Sequence, residues 1–394
     1  MKKILVLGAS YSQLPLLEAA KRLGVESGAV TIPGPYAGIS HADHVFYADI
    51  RDPEAVLSCV RGFAPDGVTT SCMDLGTRTM GYLCEKLSLP GPGRAGTEGA
   101  VDKSLQKVIY EKAGIRTAPF RIVHTESELR EAASLIGYPC MVKAVDLTGS
   151  RGIHRAECEE EALLYFQEAM RLSGKDYCLV EKFLKGTMFG VTGMISQGRA
   201  AFILPLGNIL HQGNPPFPAG HYVPFDRAEG REGKIREMVE KTAKALQFDN
   251  CAFDMDCMLA DGECFVIEAT PRCGATGIAG TVGLAYGIDY YEAIVRCALG
   301  EDVRELFQKA PGELTPSASH LLAAEAEGRI RAISVPELPP EVVHLSFNVK
   351  EGDVVRPMRS GADRIGEIMV QGKDGADARR ILEGLLGEIS VTVI

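Results

Sequence analysis

The sequence lacks the features that would place it outside the ordinary globular class. Its 394 residues contain no apolar stretch long enough to span a bilayer, and the N-terminus lacks the apolar region and cleavage site of a signal peptide. The 11 cysteines include no CxxC pair and no zinc-like spacing, which indicates buried thiols in a reducing cytoplasm. A net charge of −10 disfavours broad nucleic-acid binding. We therefore expect a cytoplasmic protein of two or three domains that binds neither nucleic acid nor membranes.

Two common nucleotide-binding fingerprints are also missing. The apolar run Ile4–Leu7 predicts a buried strand and Leu14–Leu23 has helical spacing, which is typical of the start of a doubly wound α/β sheet. The turn between them departs from GxGxxG, because Ser10 and Gln13 replace two glycines. We expect a simple strand–helix turn there, with a small anion at the helix N-terminus as the alternative. No GK[ST] sequence opens a helix, so a P-loop is not expected.

An aspartate follows the next predicted strand of this N-terminal region. Asp74 comes shortly after the strand Asp66–Thr70, at the edge where open α/β sheets bind ligands. A helix cap is the structural alternative for this side chain. The Pro- and Gly-rich stretch Leu89–Gly93 predicts the first domain boundary, so residues 1–94 are expected to form a Rossmann-like N-terminal domain.

A lysine on an apolar strand precedes a loop of small residues. The strand Cys140–Ala144 carries Lys143. The loop that follows is rich in small residues, among them Thr148, Gly149, Ser150 and Gly152. Small residues let backbone N–H groups approach anionic oxygens, and the ammonium adds a point charge. The pattern predicts a phosphate cradle; the alternatives are a lysine extending from a strand edge and an ordinary hairpin turn.

Two apolar runs with carboxylates flank the turn sequence at residues 260–263, which is a strong hairpin signal. The first run carries Asp254 and Asp256, and the second ends at Glu268. Because side chains alternate faces, an odd-numbered loop would put all three carboxylates on one face, whereas an even-numbered loop would turn Glu268 away. Three carboxylates on one face are costly without a cation, and oxygen ligands on strands suit Mg²⁺. A solvated hairpin face is the alternative.

Arg272 follows this hairpin by a few residues. Its planar guanidinium is suited to bidentate contact with a carboxylate or a phosphate. The alternative is an arginine that pairs with a nearby aspartate and holds the hairpin in place.

Two regions carry weaker signals. Residues 207–220 are rich in Gly, Pro and Asn and predict a long irregular loop, which contains His211 and ends just before His221. Loops of this length in compact domains are usually functional or mobile. After Pro311 the pattern changes to short strands and turns, which predicts a small C-terminal α+β domain over 311–394.

Taken together, these elements resemble the ATP-grasp superfamily. The matching elements are Lys103, Lys143 with its loop, the Val180–Leu184 segment, and Asp256 spaced before the Ile267–Arg272 motif. The resemblance covers about residues 95–310, and the layout is similar to the L-amino-acid ligase branch, whose members join amino acids. It implies an ATP-grasp domain with α+β subdomains over about 95–180 and 181–310.

The resemblance also implies roles for individual residues. Lys103 and Lys143 would contact the phosphates of ATP, and the loop 148–153 would close over them. Glu181 would bind the adenine amino group, with the backbone near Phe183 and Leu184 at the ring edge.

The metal and the substrates would lie beside the phosphates. Asp256 and Glu268 would hold Mg²⁺, with Mn²⁺ as an alternative, and Arg272 would face the acyl phosphate or the substrate carboxylate. Asp74 and His221 are the candidate substrate contacts. Thr270 stands where relatives usually carry Asn, and Met188 where many carry Glu, so a third metal contact and a ribose contact are not assured.

Three hypotheses follow for the function. The first is an ATP-dependent ligase that joins a small carboxylate, such as an amino acid, to an amine through an acyl phosphate. The second is a ligase of the same superfamily acting in nucleotide biosynthesis, carboxylation or carrier-protein loading, with a phosphorylated substrate held by the Gly8–Gln13 turn and Asp74. The third is a nucleotide-binding protein without turnover. The sequence names neither the substrate pair nor the oligomeric state, for which a homodimer is one expectation.

Overall fold

In the computed structural model of the protein, which describes residues 1–149 and 151–394, the N-terminal segment forms a parallel sheet. The strand order is β3-β2-β1-β4, which confirms the predicted doubly wound start. Its strands are β1 Lys3–Leu7, β2 Glu26–Thr31, β3 His44–Tyr47 and β4 Gly67–Thr69, and its helices are α1 Leu14–Arg22, α2 Pro53–Val60 and α3 Thr77–Leu87. Parallel pairing requires crossover connections, which the helices supply.

The next segment forms a small antiparallel sheet with a helix pair on one face. Two helices lead into it, α4 Arg94–Gly99 and α5 Lys103–Ala113. The sheet has the order β5-β8-β6-β7. Its elements are β5 Phe120–Val123, α6 Glu126–Ile136, β6 Cys140–Ala144, β7 Ile153–Ala156, α7 Glu159–Leu172 and β8 Cys178–Lys182. A separate apolar core of alanine, valine and cysteine side chains lies between this sheet and its two helices.

An eight-stranded sheet forms the centre of the molecule, in the order β13-β12-β9-β10-β11-β14-β18-β16. The chain segment that begins this sheet contains β9 Thr187–Ser196, β10 Arg199–His211, β11 Phe217–Val223, α8 Glu232–Ala245, β12 Cys251–Ala260, β13 Glu263–Thr270, α9 Ile278–Tyr286 and α10 Tyr290–Ala298. The C-terminal segment of the chain contains β14 Ser317–Leu322, β15 Gly328–Ser334, β16 Val342–Phe347, β17 Val354–Val355, β18 Gly366–Gln371, α11 Gly375–Glu388 and β19 Ser390–Val393. Apolar cores lie on both faces of this sheet.

The predicted long loop at 207–220 is wrong. β10 continues to His211 and β11 begins at Phe217, so only residues 212–216 connect the two antiparallel strands. The Gly, Pro and Asn residues that suggested a loop are accommodated by a bulge between Ile209 and Leu210 and by the turn itself. The segment therefore supplies two central strands of the sheet.

The strands of the C-terminal segment are divided between the central sheet and a separate small sheet. β14, β18 and β16 continue the central sheet beyond β11, and only β15, β17 and β19 pair separately. α11 packs against β14 and β18. None of the helices formed by the described residues is long and apolar enough to cross a membrane.

The turn of the acidic hairpin contains an even number of residues, and the three carboxylates nevertheless lie on the same face of the sheet. Ala260 pairs with Glu263, so Asp261 and Gly262 form a two-residue turn with φ values of 50° and 76°. A bulge then shifts the register between Asp256 and Cys257 by one residue. Without that extra residue Glu268 would face the opposite side of the sheet.

Gly262→Ala tests the strain in this turn. Since an L side chain at positive φ costs about 1–2 kcal/mol, we expect the free energy of unfolding in urea to fall by about that amount. The control is Gly384→Ala in α11, where an added Cβ meets nothing within 4 Å. There the change should be stabilising by about 1 kcal/mol, because alanine has the higher helix propensity. An unchanged free energy of unfolding for Gly262→Ala would contradict the turn.

Candidate active site

Two carboxylates lie directly opposite each other at the edge of the central sheet. The β12–β13 ladder pairs Asp256 with Glu268 and Asp254 with Thr270, so all four side chains share one face. Burial raises the pKa of Asp256 well above its usual range, and the Glu268 and Asp254 carboxylates raise it further. Burial likewise raises the pKa of Asp254 to about 6. The face is therefore short of positive charge.

Lys103 is the cation nearest to Glu268. It is the first residue of α5, and the Asp102 side chain caps that helix by accepting from the Ser104 N–H. The Lys103 Nζ donates to the Leu147 carbonyl at 2.7 Å and lies 3.5 Å from Glu268 Oε2. The lysine thus links the loop after β6 to the carboxylates of β13.

Arg272 makes a bidentate ion pair with Asp74, which lies in the turn between β4 and α3. Its Nε and Nη2 donate to the two Asp74 oxygens at 2.9 and 3.0 Å, and its Nη1 lies 3.4 Å from Asp254 Oδ2. The Thr270 hydroxyl donates to Asp74 Oδ1 at 2.7 Å. Burial raises the pKa of Asp74, but the Arg272 guanidinium outweighs this effect and holds the pKa below its usual value. Gly274 allows the close approach, since an added Cβ would lie 2.3 Å from Asp254 Oδ2.

These residues line one polar cleft of about 520 Å³ between the N-terminal sheet, α5 and the central sheet. Its lining side chains and backbone come from Asp74, Gly99, Ala100, Lys103, Gln106, Thr148, Gly149, Asp254, Asp256, Glu268, Ala269, Thr270 and Arg272. The structure therefore brings together most of the predicted phosphate, metal and catalytic residues.

A second charged group is buried under the small antiparallel sheet. Lys143 Nζ donates to Glu181 Oε2 at 2.9 Å, while Lys107 Nζ lies 3.2 Å from Glu181 Oε1. All three side chains are at least nine-tenths buried. Burial raises the pKa of Glu181, but the two ammonium groups outweigh it, so the net pKa is lowered and the carboxylate stays charged.

The predicted phosphate loop lies beside these charges. Thr148 and Gly149 line the cleft, Ser150 is outside the described residues, and Gly152 accepts the Ala144 N–H at 2.7 Å. Phe183 lies under the Arg155 guanidinium, 4.2 Å from ring centroid to Cζ, and the half-buried Leu184 follows it.

His221 does not line the cleft described above, although it lies on the same sheet face as Asp256. Asp256 pairs with Gly190 of β9, which pairs with Leu206 of β10, so the three residues share one face. Asn208 lies two residues after Leu206 on that face and pairs with His221 of β11. The His221 Nδ1 is 3.0 Å from Asn208 Oδ1, and burial lowers the pKa of His221 to about 4. The imidazole is therefore neutral at pH 7 and suited to hydrogen bonding.

The residues fit a bound adenine nucleotide and a hard cation. Within the described part of the chain, Glu181 Oε1 is buried and accepts no hydrogen bond of regular geometry; Lys107 Nζ lies 3.2 Å away as an ion-pair partner, and the oxygen can still accept from an amino group. No group of three metal-ligating side chains converges among the described residues. The two opposed carboxylates are instead typical of Mg²⁺, which is held by few carboxylates together with water and phosphate oxygens.

Sequence reasoning missed two residues of α5. Gln106 donates to the Ala269 carbonyl at 2.6 Å and accepts the Ala269 N–H at 2.9 Å, which fixes β13 beside Glu268. Lys107 contacts Glu181, as described above. The signal that was available is helical spacing, because Lys107 follows Lys103 by four residues and lies on the same side of the helix.

Comparison with known proteins finds matches that cover the whole chain. The family model for the L-amino acid ligase C-terminal domain 2 matches residues 320–393, and that for the carbamoyl-phosphate synthase L chain ATP binding domain matches 102–188. A crystal structure of phosphoribosylglycinamide synthetase from Anaerococcus prevotii is 32% identical, with a TM-score of 0.83 over 100% of both chains. An L-amino acid ligase from Bacillus licheniformis has a TM-score of 0.86 over 100% of this chain and 99% of its own, at 20% identity.

A curated relative points in the same direction. The formate-dependent phosphoribosylglycinamide formyltransferase of Methanococcus maripaludis is 25% identical over 97% of this chain and 95% of its own. The architecture is that of an ATP-dependent ligase that forms C–N bonds. The chain belongs to the ATP-grasp superfamily of carboxylate–amine ligases, as its motifs predicted.

Asp74→Asn tests the ion pair that joins the N-terminal sheet to the cleft. We expect the free energy of unfolding at pH 7 to fall by about 3 kcal/mol, because one partner of a buried pair is lost. Since the pKa of Asp74 is lowered in the folded protein, its contribution is present above the ordinary value of 3.8 and lost as the pH falls further.

Urea unfolding at pH 7 and at pH 3 measures both effects, and the difference between wild type and variant should be smaller at the lower pH. Asp49→Asn is the control, because the Asp49–Arg51 pair is exposed and its loss should change little. A constant difference between Asp74→Asn and wild type at both pH values would contradict the assignment.

Proposed function

We propose that this enzyme activates a small carboxylate with ATP and transfers the acyl group to the amine of a phosphorylated nucleotide precursor. ATP supplies the chemistry by converting the carboxylate into an acyl phosphate, which an amine can attack with release of phosphate. The chain itself supplies position and charge neutralisation, which phosphoryl transfer mainly requires. Lys103 and Lys143 are assigned to the phosphates, and Glu181 to the adenine amino group.

The observation that carries this proposal is the opposed pair Asp256 and Glu268 with Lys103 beside it. Burial and the neighbouring carboxylates raise the pKa of Asp256 well above its usual range, which favours a divalent cation between this pair and the phosphates. A cation there neutralises the like charges, and the lysine is within reach of an anion bound to the same cation. The preference for Mg²⁺ over Mn²⁺ stays a prediction, as does a homodimer.

Arg272 is assigned to the reacting carboxylate or its acyl phosphate, with Asp74 beside it. In the structure Asp74 occupies two of the guanidinium donors, so a substrate carboxylate would take the place that Asp74 or Asp254 holds on this fork. Thr270 donates to Asp74 and is therefore assigned to the orientation of that carboxylate rather than to the metal. Asp74 would then lose its contact with Arg272 and could contact the amine of the acceptor.

Whole-chain relatives support the nucleotide-biosynthesis alternative better than the amino-acid ligase expectation. The 32% identical protein is named a phosphoribosylglycinamide synthetase, and the curated relative uses formate with phosphoribosylglycinamide. A phosphorylated acceptor needs a further cation near the cleft. Arg364 is assigned to this role because its charge acts on Cys72, two residues before Asp74: burial raises the pKa of the Cys72 thiol to about 11, and Arg272 and then Arg364 oppose the increase.

An amino acid is the second candidate for the acceptor, on two observations. The match to the L-amino acid ligase C-terminal domain covers the strands that continue the central sheet. In addition, the Gly8–Gln13 turn is closed by its own glutamine: Gln13 Oε1 accepts both the N–H and the hydroxyl of Ser10. A phosphate could use that turn only by displacing Gln13, so the turn does not support the phosphate site expected there.

Asp256→Asn and Glu268→Gln test the metal assignment. Each change removes charge at constant size, so we expect ADP formation at saturating Mg²⁺ to fall about 100-fold or more. The thermal midpoint should be maintained, since a raised pKa shows that the charged form of Asp256 is not stabilising. Glu263→Gln is the control on the same hairpin, where the exposed carboxylate pairs with Arg116 and Lys234. Wild-type rates for either site variant would remove the metal from this hairpin.

Phosphate release with defined substrate pairs tests the acceptor. We expect release with formate and phosphoribosylglycinamide, and none with pairs of amino acids. Arg364→Ala should raise the KM for the phosphorylated acceptor at least tenfold, about 1.4 kcal/mol, at an unchanged KM for ATP. Arg359→Ala, an exposed arginine of the same loop, is the control. Release with amino acids only would favour the second candidate, and an unaltered Arg364→Ala enzyme would remove the phosphate from this arginine.

A further inference from the structure

Lys107 is a lysine in the middle of a helix that is almost completely buried. Only 1% of its surface is exposed, although lysine is among the residues that are rarely buried without a partner. Its Nζ donates to the Thr117 hydroxyl at 2.6 Å and lies 3.2 Å from Glu181 Oε1. Thr117 in turn donates to the Val266 carbonyl at 2.7 Å, so the ammonium is held in place from the opposite side.

In the free protein, the single Glu181 carboxylate has two cationic neighbours. Lys143 contacts Oε2 and Lys107 faces Oε1. One partner would be sufficient to keep the buried carboxylate charged, and a second buried ammonium carries a desolvation cost. The second cation therefore calls for an explanation other than the stability of the free protein.

The two lysines differ in what surrounds them. Lys143 is on β6, directly before the loop whose Thr148 and Gly149 line the cleft assigned to the phosphates. Lys107 is instead held by Thr117, whose hydroxyl donates to the Val266 carbonyl of β13. When Lys143 engages phosphate oxygens, Lys107 is the cation that stays with Glu181.

We propose that Lys107 is a positioning residue that keeps the Glu181 carboxylate charged and oriented as an acceptor once Lys143 has turned to the nucleotide, and that it thereby sets the preference for adenine over guanine. The inference rests on the proposed use of ATP. An anionic acceptor attracts the 6-amino group of adenine, whereas guanine presents a carbonyl oxygen at that position and is repelled. The buried Oε1 of Glu181 has the Lys107 ammonium 3.2 Å away but accepts no hydrogen bond of regular geometry among the described residues, and it is the atom that would accept from the amino group.

Direct binding of ATP and GTP by calorimetry to the full-length protein tests this role. For Lys107→Met we expect ATP affinity to fall at least tenfold and GTP affinity to change less than threefold, so that discrimination collapses. The thermal midpoint of the free protein should stay within a few degrees of wild type, because Lys143 still pairs with Glu181. Lys112→Met is the matched control on the same helix, where the side chain is exposed, and it should bind both nucleotides as wild type does.

The pH dependence of ATP binding is a readout that a purely structural lysine would not change. Burial lowers the pKa of Lys107 to about 8 in the free protein; Glu181 opposes the shift and Lys143 adds to it, while Glu268 also opposes it. Lys107 therefore loses its proton as the pH rises through about 8, and wild-type affinity for ATP should decline above that pH. Lys107→Met should lack this step.

The outcomes separate the inference from the proposed function. Equal weakening of ATP and GTP, or an unchanged ratio of their affinities, would overturn the role of Lys107 while leaving ATP use intact. Wild-type protein that binds no ATP would overturn the proposed function and this inference together. If Lys107→Met fails to fold, the pair Glu181→Gln and Lys107→Met/Glu181→Gln decides: adding the second change should cause no further loss of ATP affinity, and a further tenfold loss would overturn the role.

Discussion

The concentration of buried negative charge at one edge of the central sheet is the constraint on which the site depends. Asp74 comes from the turn after β4 of the N-terminal sheet, Asp254 and Asp256 come from β12 of the central sheet, and all three meet within a single cleft. Arg272 neutralises two of them, and Lys103 partly neutralises Glu268. The negative charge that remains favours the binding of a cation in the cleft, so the same electrostatic imbalance affects both cation binding and folding.

A local irregularity of backbone geometry makes this concentration of charge feasible. The two-residue turn at Asp261 and Gly262 imposes one strand parity, and the bulge after Asp256 reverses it before Glu268 is reached. The direction of the Glu268 side chain is therefore decided by a single extra residue, Ile267, which directly precedes it in β13. Bulges next to active sites have this re-aiming effect in general, and here it converts an unfavourable turn into a usable one.

The sequence was sufficient to predict local features and insufficient for those that depend on distant partners. The strands around Lys143 and Glu268 and the first helix of the N-terminal sheet were predictable because periodicity and turn residues act over short spans. The ion pair of Arg272 with Asp74 joins residues 198 positions apart, and no local pattern encodes it. The strands at 207–220 were missed since Gly and Pro, which indicate loops elsewhere, are tolerated here at a bulge and a turn. Lys107 was missed because burial of a helix lysine becomes visible only in three dimensions.

The C-terminal segment pairs directly with the central sheet, which limits where the chain could be cut into separate pieces. β14 pairs with β11, so the hydrogen-bond ladder runs without interruption from the carboxylate edge into the C-terminal segment. A cut after residue 311 would leave the N–H and C=O groups of β11 without their partners and turn an interior strand into an open template for another chain. Despite its separate position in sequence, the C-terminal segment is therefore not an exchangeable module, and recombination between relatives would have to transfer the ladder as a unit.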